Sequence, residues 1–238
     1  MTRKCRTPIR TTRRRLLDAA GGLLVGGATA SVVAGVSSPG GSFALTQADR
    51  CLSITPLAGD APIEEFYGSG LDVRNYSATG AGTRALERPE TSLLFLYDGP
   101  KGLSLVFVHD KYGDHSSGGA VSFDITGLPP DGEWVVQDDK YDGKTNWDQW
   151  SRDGSESRVD WTWRGGRTDG GAFRGLGDDP DLAVTIDPAF NEKAALFGQH
   201  YDGHVTDWQV LSGDLESPER RSLGMDEPVT IARGSCED

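Results

Sequence analysis

The chain has 238 residues with 24 Lys and Arg against 36 Asp and Glu, so its formal net charge at pH 7 is −12. Seven of the basic residues and one of the acidic residues lie in positions 1–36, which leaves residues 37–238 with 17 basic and 35 acidic residues and a net charge of −18. A body of this charge repels nucleic acid, and the Trp, Tyr, Phe, Val and Leu residues spread along it exclude an acidic disordered chain.

The first residues have the order of an export signal, with basic side chains followed by an apolar stretch and then by small residues. Within them, Thr12-Arg13-Arg14-Arg15-Leu16-Leu17 matches the twin-arginine pattern of Ser or Thr, two arginines, any residue and two apolar residues. A receptor reads this pattern and the pathway transports folded proteins. The sequence therefore predicts export through the twin-arginine translocase, directed by Arg13 and Arg14.

The apolar stretch of the signal, residues 19–36, is close to the minimum length of a membrane span but is rich in glycine. We therefore expect cleavage, and retention as an anchor is the alternative. Small residues place the cut after Ala44, with Ala34 as the second position. The predicted division is a signal peptide at 1–44 and one domain at 45–238. The mature protein is then expected outside the cell or at its surface, without a stable membrane span.

Three cysteines are present, and removal of the signal removes Cys5. Cys51 and Cys236 remain at the two ends of the mature domain, in an oxidising compartment where such pairs form disulfides. The sequence predicts one bond that joins the first and last strands, and two free thiols are the alternative.

The mature chain reads as a mostly β domain, an antiparallel two-sheet sandwich with one short helix. Two apolar runs separated by the Gly- and Pro-containing segment 98–102 predict a hairpin. A helix is expected at 188–197, and a loose loop at 68–89 contains a possible N-glycosylation site, Asn75. The expected strands lie at 92–97, 103–108, 120–126, 133–137, 159–163, 182–186, 205–211 and 228–231.

One aspartate-rich loop offers the hard oxygen ligands that calcium prefers. Its candidate ligands are Asp138, Asp139, Asp142 and Asp148, although their register departs from that of an EF-hand loop. No other cofactor is indicated. In a chain with this much aspartate, solvated surface loops are the competing interpretation.

Five of the six tryptophans fall within thirty residues, and Trp161 and Trp163 would share one face of a strand. If Trp147, Trp150, Trp161 and Trp163 were exposed, they would form a platform for a sugar ring. If they were buried, they would belong to the core, which is the preferred interpretation.

The four histidines form two pairs in the sequence, His109 with His115 and His200 with His204. Either pair could contribute to a metal or catalytic site, and surface loops are the simpler explanation. The usual nucleophile, metalloprotease and phosphate-loop motifs are absent from the sequence.

Aspartate strongly outnumbers lysine in the mature chain, which also contains the segments Leu94-Phe-Leu-Tyr-Asp-Gly-Pro and Gly132-Glu-Trp-Val-Val. Together with the twin-arginine signal, these features resemble exported haloarchaeal proteins that have no assigned activity. We expect a non-catalytic binding or structural module for a glycan or another surface component. The alternative is a secreted hydrolase or metal-dependent enzyme that uses His and Asp residues.

Overall fold

The computed structural model describes residues 41–68, 81–115, 117–139, 148–177, 179–192, 194, 197 and 203–236. These residues lie in Ser37–Asp238, the second of the two units into which the chain divides. Predictions for Arg13, Arg14 and Asn75 fall outside the described residues. Within the described ranges, no helix has the length and apolar character needed to cross a membrane.

The described chain is mostly β, with two short helices, α1 (Ile63–Tyr67) and α2 (Ala81–Leu86). The strands are β1 (Phe43–Gln47), β2 (Arg50–Ile54), β3 (Leu57–Ala58), β4 (Thr91–Gly99), β5 (Gly102–His109), β6 (Gly118–Thr126), β7 (Glu133–Gln137), β8 (Gln149–Asp153), β9 (Glu156–Arg164), β10 (Asp169–Arg174), β11 (Ala183–Phe190), β12 (Asp207–Ser212), β13 (Glu219–Leu223) and β14 (Val229–Arg233).

The first sheet is antiparallel, in the order β2-β1-β14-β11-β6-β9-β8. Its strands alternate between an inward apolar face and an outward polar face, as period-two geometry requires. In β1, for example, Phe43 and Leu45 are buried whereas Thr46 is exposed. The strands β6 and β9 are buried at most positions on both faces, so the alternation is clear only in strands such as β1.

The second sheet has the order β13-β12-β4-β5-β10-β7, with β3 paired to β4. One of its faces shares the main core with the first sheet, through side chains such as Leu94 and Phe107. The opposite face packs against Ile63 and Phe66 of α1, so a second apolar cluster forms there. Strands β4 and β5 are continuous apolar runs because both of their faces are covered.

The predicted antiparallel sandwich needs one revision, because β4 pairs in parallel with both β12 and β3. More than a hundred residues separate β4 from β12, which leaves ample chain for the crossover that a parallel pair needs. The predicted hairpin is formed by β4 and β5, and Gly99 pairs with Gly102. Its turn is therefore the two residues 100–101, shorter than the five predicted.

The helix expected at 188–197 is wrong at its start, where Pro188, Ala189 and Phe190 continue β11 along β6. Phe190 packs edge-on against Phe123 with ring centroids 5.6 Å apart, so core packing overrides the local helix signal. Helix α2 also lies in the segment expected to be a loose loop. Among the described strands, β1, β2, β3, β8, β10 and β13 were not predicted.

A disulfide between Cys51 and Cys236 confirms the predicted bond, with the two Cα atoms 5.7 Å apart. Cys51 lies in β2, and Cys236 lies three residues beyond β14. Strand β1 lies between these two strands in the sheet. The bond therefore ties the second strand, and not the first, to the end of the chain.

Candidate functional site

The structure places His109 in the core at the end of β5, with no exposed surface. Its Nδ1 lies 2.8 Å from the Ser92 hydroxyl oxygen, and its ring stacks on Trp163 with centroids 5.4 Å apart. Burial lowers the pKa of His109 to about 3, so the ring is neutral at physiological pH. His115 and His204 are exposed, and His200 lies outside the described residues.

The tryptophan platform is wrong for Trp161 and Trp163, because both side chains are buried between the sheets. The Trp161 indole N–H donates to the carbonyl of Gly170 at 2.9 Å, and that of Trp163 donates to Asp110 Oδ2 at 2.9 Å. Trp150 is partly buried against the same core. These rings are core residues, as the preferred interpretation held, and Trp147 lies outside the described residues.

Three buried aspartates and one buried tyrosine lie close together near the end of β7 and the start of β10. We call them the acidic cluster: Tyr67, Asp138, Asp148 and Asp169. The Tyr67 hydroxyl donates to Asp138 Oδ2 at 3.4 Å. Asp148 Oδ1 accepts the backbone N–H of Thr162 at 3.2 Å. Asp169 Oδ1 accepts the backbone N–H of Gly170 at 2.8 Å. The fold therefore brings together residues from α1, β10 and the ends of two further strands.

The carboxyl groups of Asp148 and Asp169 lie close enough to interact electrostatically. Two buried carboxylates at such a site repel each other when both are ionised. Burial raises the pKa of both carboxyls well above the usual range, and the neighbouring Asp138 and Asp139 raise it further. Burial raises the pKa of Tyr67 in the same way. The cluster therefore titrates as a coupled unit.

Two of the four predicted calcium ligands, Asp138 and Asp148, belong to this cluster, while Asp142 lies outside the described residues. The fourth, Asp139, is less buried, and burial raises its pKa to about 6 against the opposing effect of Arg167 and Arg164. In the part of the chain that the structure describes, no three His, Cys, Asp or Glu residues are arranged to hold a metal ion. Calcium binding therefore stays a prediction.

A second group of residues lies at the surface beside the acidic cluster, and we call it the basic surface: Arg84, Lys111, Tyr112, Arg164 and Arg167. Tyr112 is 36% exposed, and it is the one exposed large hydrophobic side chain among the described residues. The guanidinium carbon of Arg84 lies 4.8 Å from the ring centroid, and that of Arg167 lies 5.8 Å from it. Two cations from distant parts of the chain thus contact one aromatic ring.

Backbone hydrogen bonds fix the three segments that carry the basic surface. The N–H of Tyr112 donates to Glu87 Oε2 at 3.0 Å, which ties the loop after β5 to the residue that follows α2. The N–H of Gly113 donates to the carbonyl of Gly166 at 3.0 Å, which ties the same loop to the β9–β10 turn. Gly166 has a φ of +72°, a conformation that favours glycine in this turn.

The sequence did not reveal the main members of either group. Asp169 lies in a glycine-rich segment that reads as a simple chain reversal, but this segment includes β10. Tyr112 and its arginines are separated by up to 55 positions, so pairing between strands is needed to bring them together. In the sequence, the aspartates that begin at Asp138 were the one feature that pointed to either group.

No family model, no curated protein and no solved structure matches this chain.

Proposed function

We propose that this chain is an exported, non-catalytic β-sandwich module that binds a glycan or another surface component through the basic surface. The observation that carries this proposal is Tyr112, which remains 36% exposed while the other large apolar side chains of the described residues are buried or partly buried. Tyrosine and arginine are enriched in binding surfaces because they combine apolar contact with directional hydrogen bonds.

The position of Tyr112 at one end of the sandwich supports this proposal. Its loop, the β9–β10 turn and α2 come from three different parts of the chain, and the two sheets beneath them are extensively hydrogen-bonded. Loops that a rigid scaffold holds in place are the usual location of binding residues. A tyrosine ring also offers an apolar face and a hydroxyl group, which suits the mixed surface of a sugar.

The test is a binding measurement on the secreted protein, with immobilised neutral and charged polysaccharides. We expect Tyr112→Ala to weaken binding about tenfold, because the substitution removes an aromatic contact of the size found at interface centres. Thr46→Ala, at an exposed position of β1 in the first sheet, is the control and should bind as the wild type does. Binding that neither substitution changes would contradict the assignment of this surface.

The exported location is part of the same proposal and rests on the twin-arginine pattern and on the disulfide, which suits an oxidising compartment. Replacement of Arg13 and Arg14 by Lys should leave folded precursor inside the cell. Cell fractionation followed by immunoblotting measures this. Unchanged secretion of the variant would show that another route exports the protein.

A second candidate is a secreted hydrolase, which the concentration of shifted pKa values around the acidic cluster favours. Burial raises the pKa of Asp139 to about 6, which is the range of a general acid near neutral pH. Release of reducing ends from a bound polysaccharide, abolished in Asp139→Asn, would support this candidate. Polysaccharide that is bound but never cleaved would support the binding module.

A further inference from the structure

The basic surface contrasts in charge with the rest of the mature chain. It contains four of the 17 basic residues of a segment whose net charge is −18. Arg84, Lys111 and Arg164 are exposed, and Arg167 is partly exposed. On a surface where acidic residues outnumber basic ones two to one, this grouping departs from an even distribution.

Two carboxyl groups next to the basic surface, those of Glu87 and Asp110, are buried. Glu87 is 2% exposed, and burial raises its pKa although the Tyr112 N–H and the charges of Arg84 and Lys111 act in the opposite direction. Asp110 is 1% exposed, and its carboxylate accepts backbone N–H groups and the Trp163 indole N–H. Around Arg84 and Lys111 an approaching anion therefore meets the cations before these two carboxylates, whereas the partly exposed Asp139 interacts with Arg167 and Arg164.

The two guanidinium groups around Tyr112 suit an oxyanion. Arginine presents several N–H donors in a planar fork that matches carboxylate and sulfate oxygens, and such charge-assisted bonds are about twice as strong as neutral ones. Arg84 and Arg167 both contact the Tyr112 ring, so their guanidinium groups flank the exposed aromatic side chain.

We propose that the ligand of the basic surface is an anionic polysaccharide, whose carboxylate or sulfate groups bind Arg84 and Arg167 while a sugar ring contacts Tyr112. This inference rests on the proposed binding function and names its ligand class. Nucleic acid is disfavoured, because its backbone places a charge every 1.7 Å or so along the duplex axis and the body of the protein repels such a polymer. A polysaccharide with more widely spaced charges can satisfy one local surface.

Three polymers with the same backbone test the ligand class: dextran, carboxymethyl dextran and dextran sulfate. At 0.15 M NaCl, charges beyond about 8 Å are screened, so the local surface governs binding. We expect both charged polymers to bind at least tenfold more tightly than dextran, and this preference should shrink at 1 M NaCl. The stronger of the two charged polymers identifies the anionic group as carboxylate or sulfate.

The double variant Arg84→Gln/Arg167→Gln should lose about tenfold or more in affinity for the charged polymer, since each lost charge-assisted hydrogen bond weakens binding. Its control is Arg50→Gln/Arg221→Gln, which removes two exposed arginines from other strands and changes the net charge equally. The control should stay within about twofold of the wild type, and the melting temperatures of both variants establish that they are folded.

The outcomes separate the ligand class from the binding function. Equal binding of dextran and its charged forms, lost in Tyr112→Ala, would overturn the anionic ligand and leave the binding module intact. Equal losses in the two double variants would also overturn it, because a general charge effect would then explain the binding. Absence of binding to all three polymers would overturn both proposals.

Discussion

Asp169→Asn should stabilise the protein at neutral pH. In the folded state Asp169 is buried beside Asp148, and burial and the Asp148 charge raise its pKa well above that of the unfolded chain. Folding therefore takes up a proton once the pH exceeds the unfolded pKa of about 3.9, so wild-type stability falls as the pH rises from about 4 through the folded pKa. Asparagine keeps the acceptor for the Gly170 N–H and carries no charge that burial would penalise.

The size of the effect follows from proton linkage. Retention of one proton costs about 1.4 kcal/mol for each pH unit above the unfolded pKa. The roughly three units between pH 4 and pH 7 set a ceiling near 4 kcal/mol. The variant should therefore gain at most about 4 kcal/mol at pH 7 and should approach the wild type below about pH 4.

Urea unfolding followed by tryptophan fluorescence, at a fixed salt concentration between pH 4 and pH 8, measures this difference. The matched control is Asp187→Asn in β11, which makes the same charge change at an exposed site and should stay within about 0.5 kcal/mol of the wild type. A loss of stability in Asp169→Asn that is the same at pH 4 and pH 7 would refute the raised pKa of Asp169.

Three further predictions concern the mature domain. Replacement of Cys51 and Cys236 by Ser should lower the free energy of unfolding by at most about 5 kcal/mol, the chain-entropy value for a closed loop of 185 residues; equal urea midpoints for both proteins would show that the bond contributes nothing. The melting temperature should rise between 0.1 M and 1 M NaCl, because the Debye length falls from about 10 Å to about 3 Å and screens the −18 charge; a flat profile would contradict this reasoning. If the predicted signal is removed, the cut should follow Ala34 and not Ala44, the position first expected, because a cut after Ala44 would remove the fully buried Phe43 from β1; N-terminal sequencing that starts at residue 45 would show the opposite.

Local sequence patterns were sufficient for most of the central strands. The β4–β5 hairpin was predictable because two apolar runs flank a segment rich in turn residues, and both runs are long enough to identify without tertiary information. The signal for β10 was weak, because Asp169, Gly170 and Gly171 resemble a loop. Glycine occurs in this strand because the neighbouring backbone approaches closely. A Cβ atom at position 170 would lie 2.2 Å from the Phe107 carbonyl oxygen.

The candidate site was harder to predict than the fold, because its members meet through strand register. Asp169 is the cross-strand partner of His109, and His109 is that of Ser92. The pair of His109 and Asp169 joins residues that are 60 positions apart, and no local period encodes it. The predicted aspartates were recognised from composition alone, and the burial of Asp138 and Asp148 could not be inferred from a segment so rich in polar residues.

Hydrogen exchange, measured with and without saturating charged dextran, tests the binding surface most directly. We expect the backbone amides of three segments to exchange more slowly when the polymer binds: residues 82–88, the loop at 111–115 and the turn at 164–168. The outward face of the first sheet, represented by β1 and β14, should exchange at the same rate in both samples. Protection confined to that face, with the three segments unchanged, would contradict the assignment of binding to the surface around Tyr112.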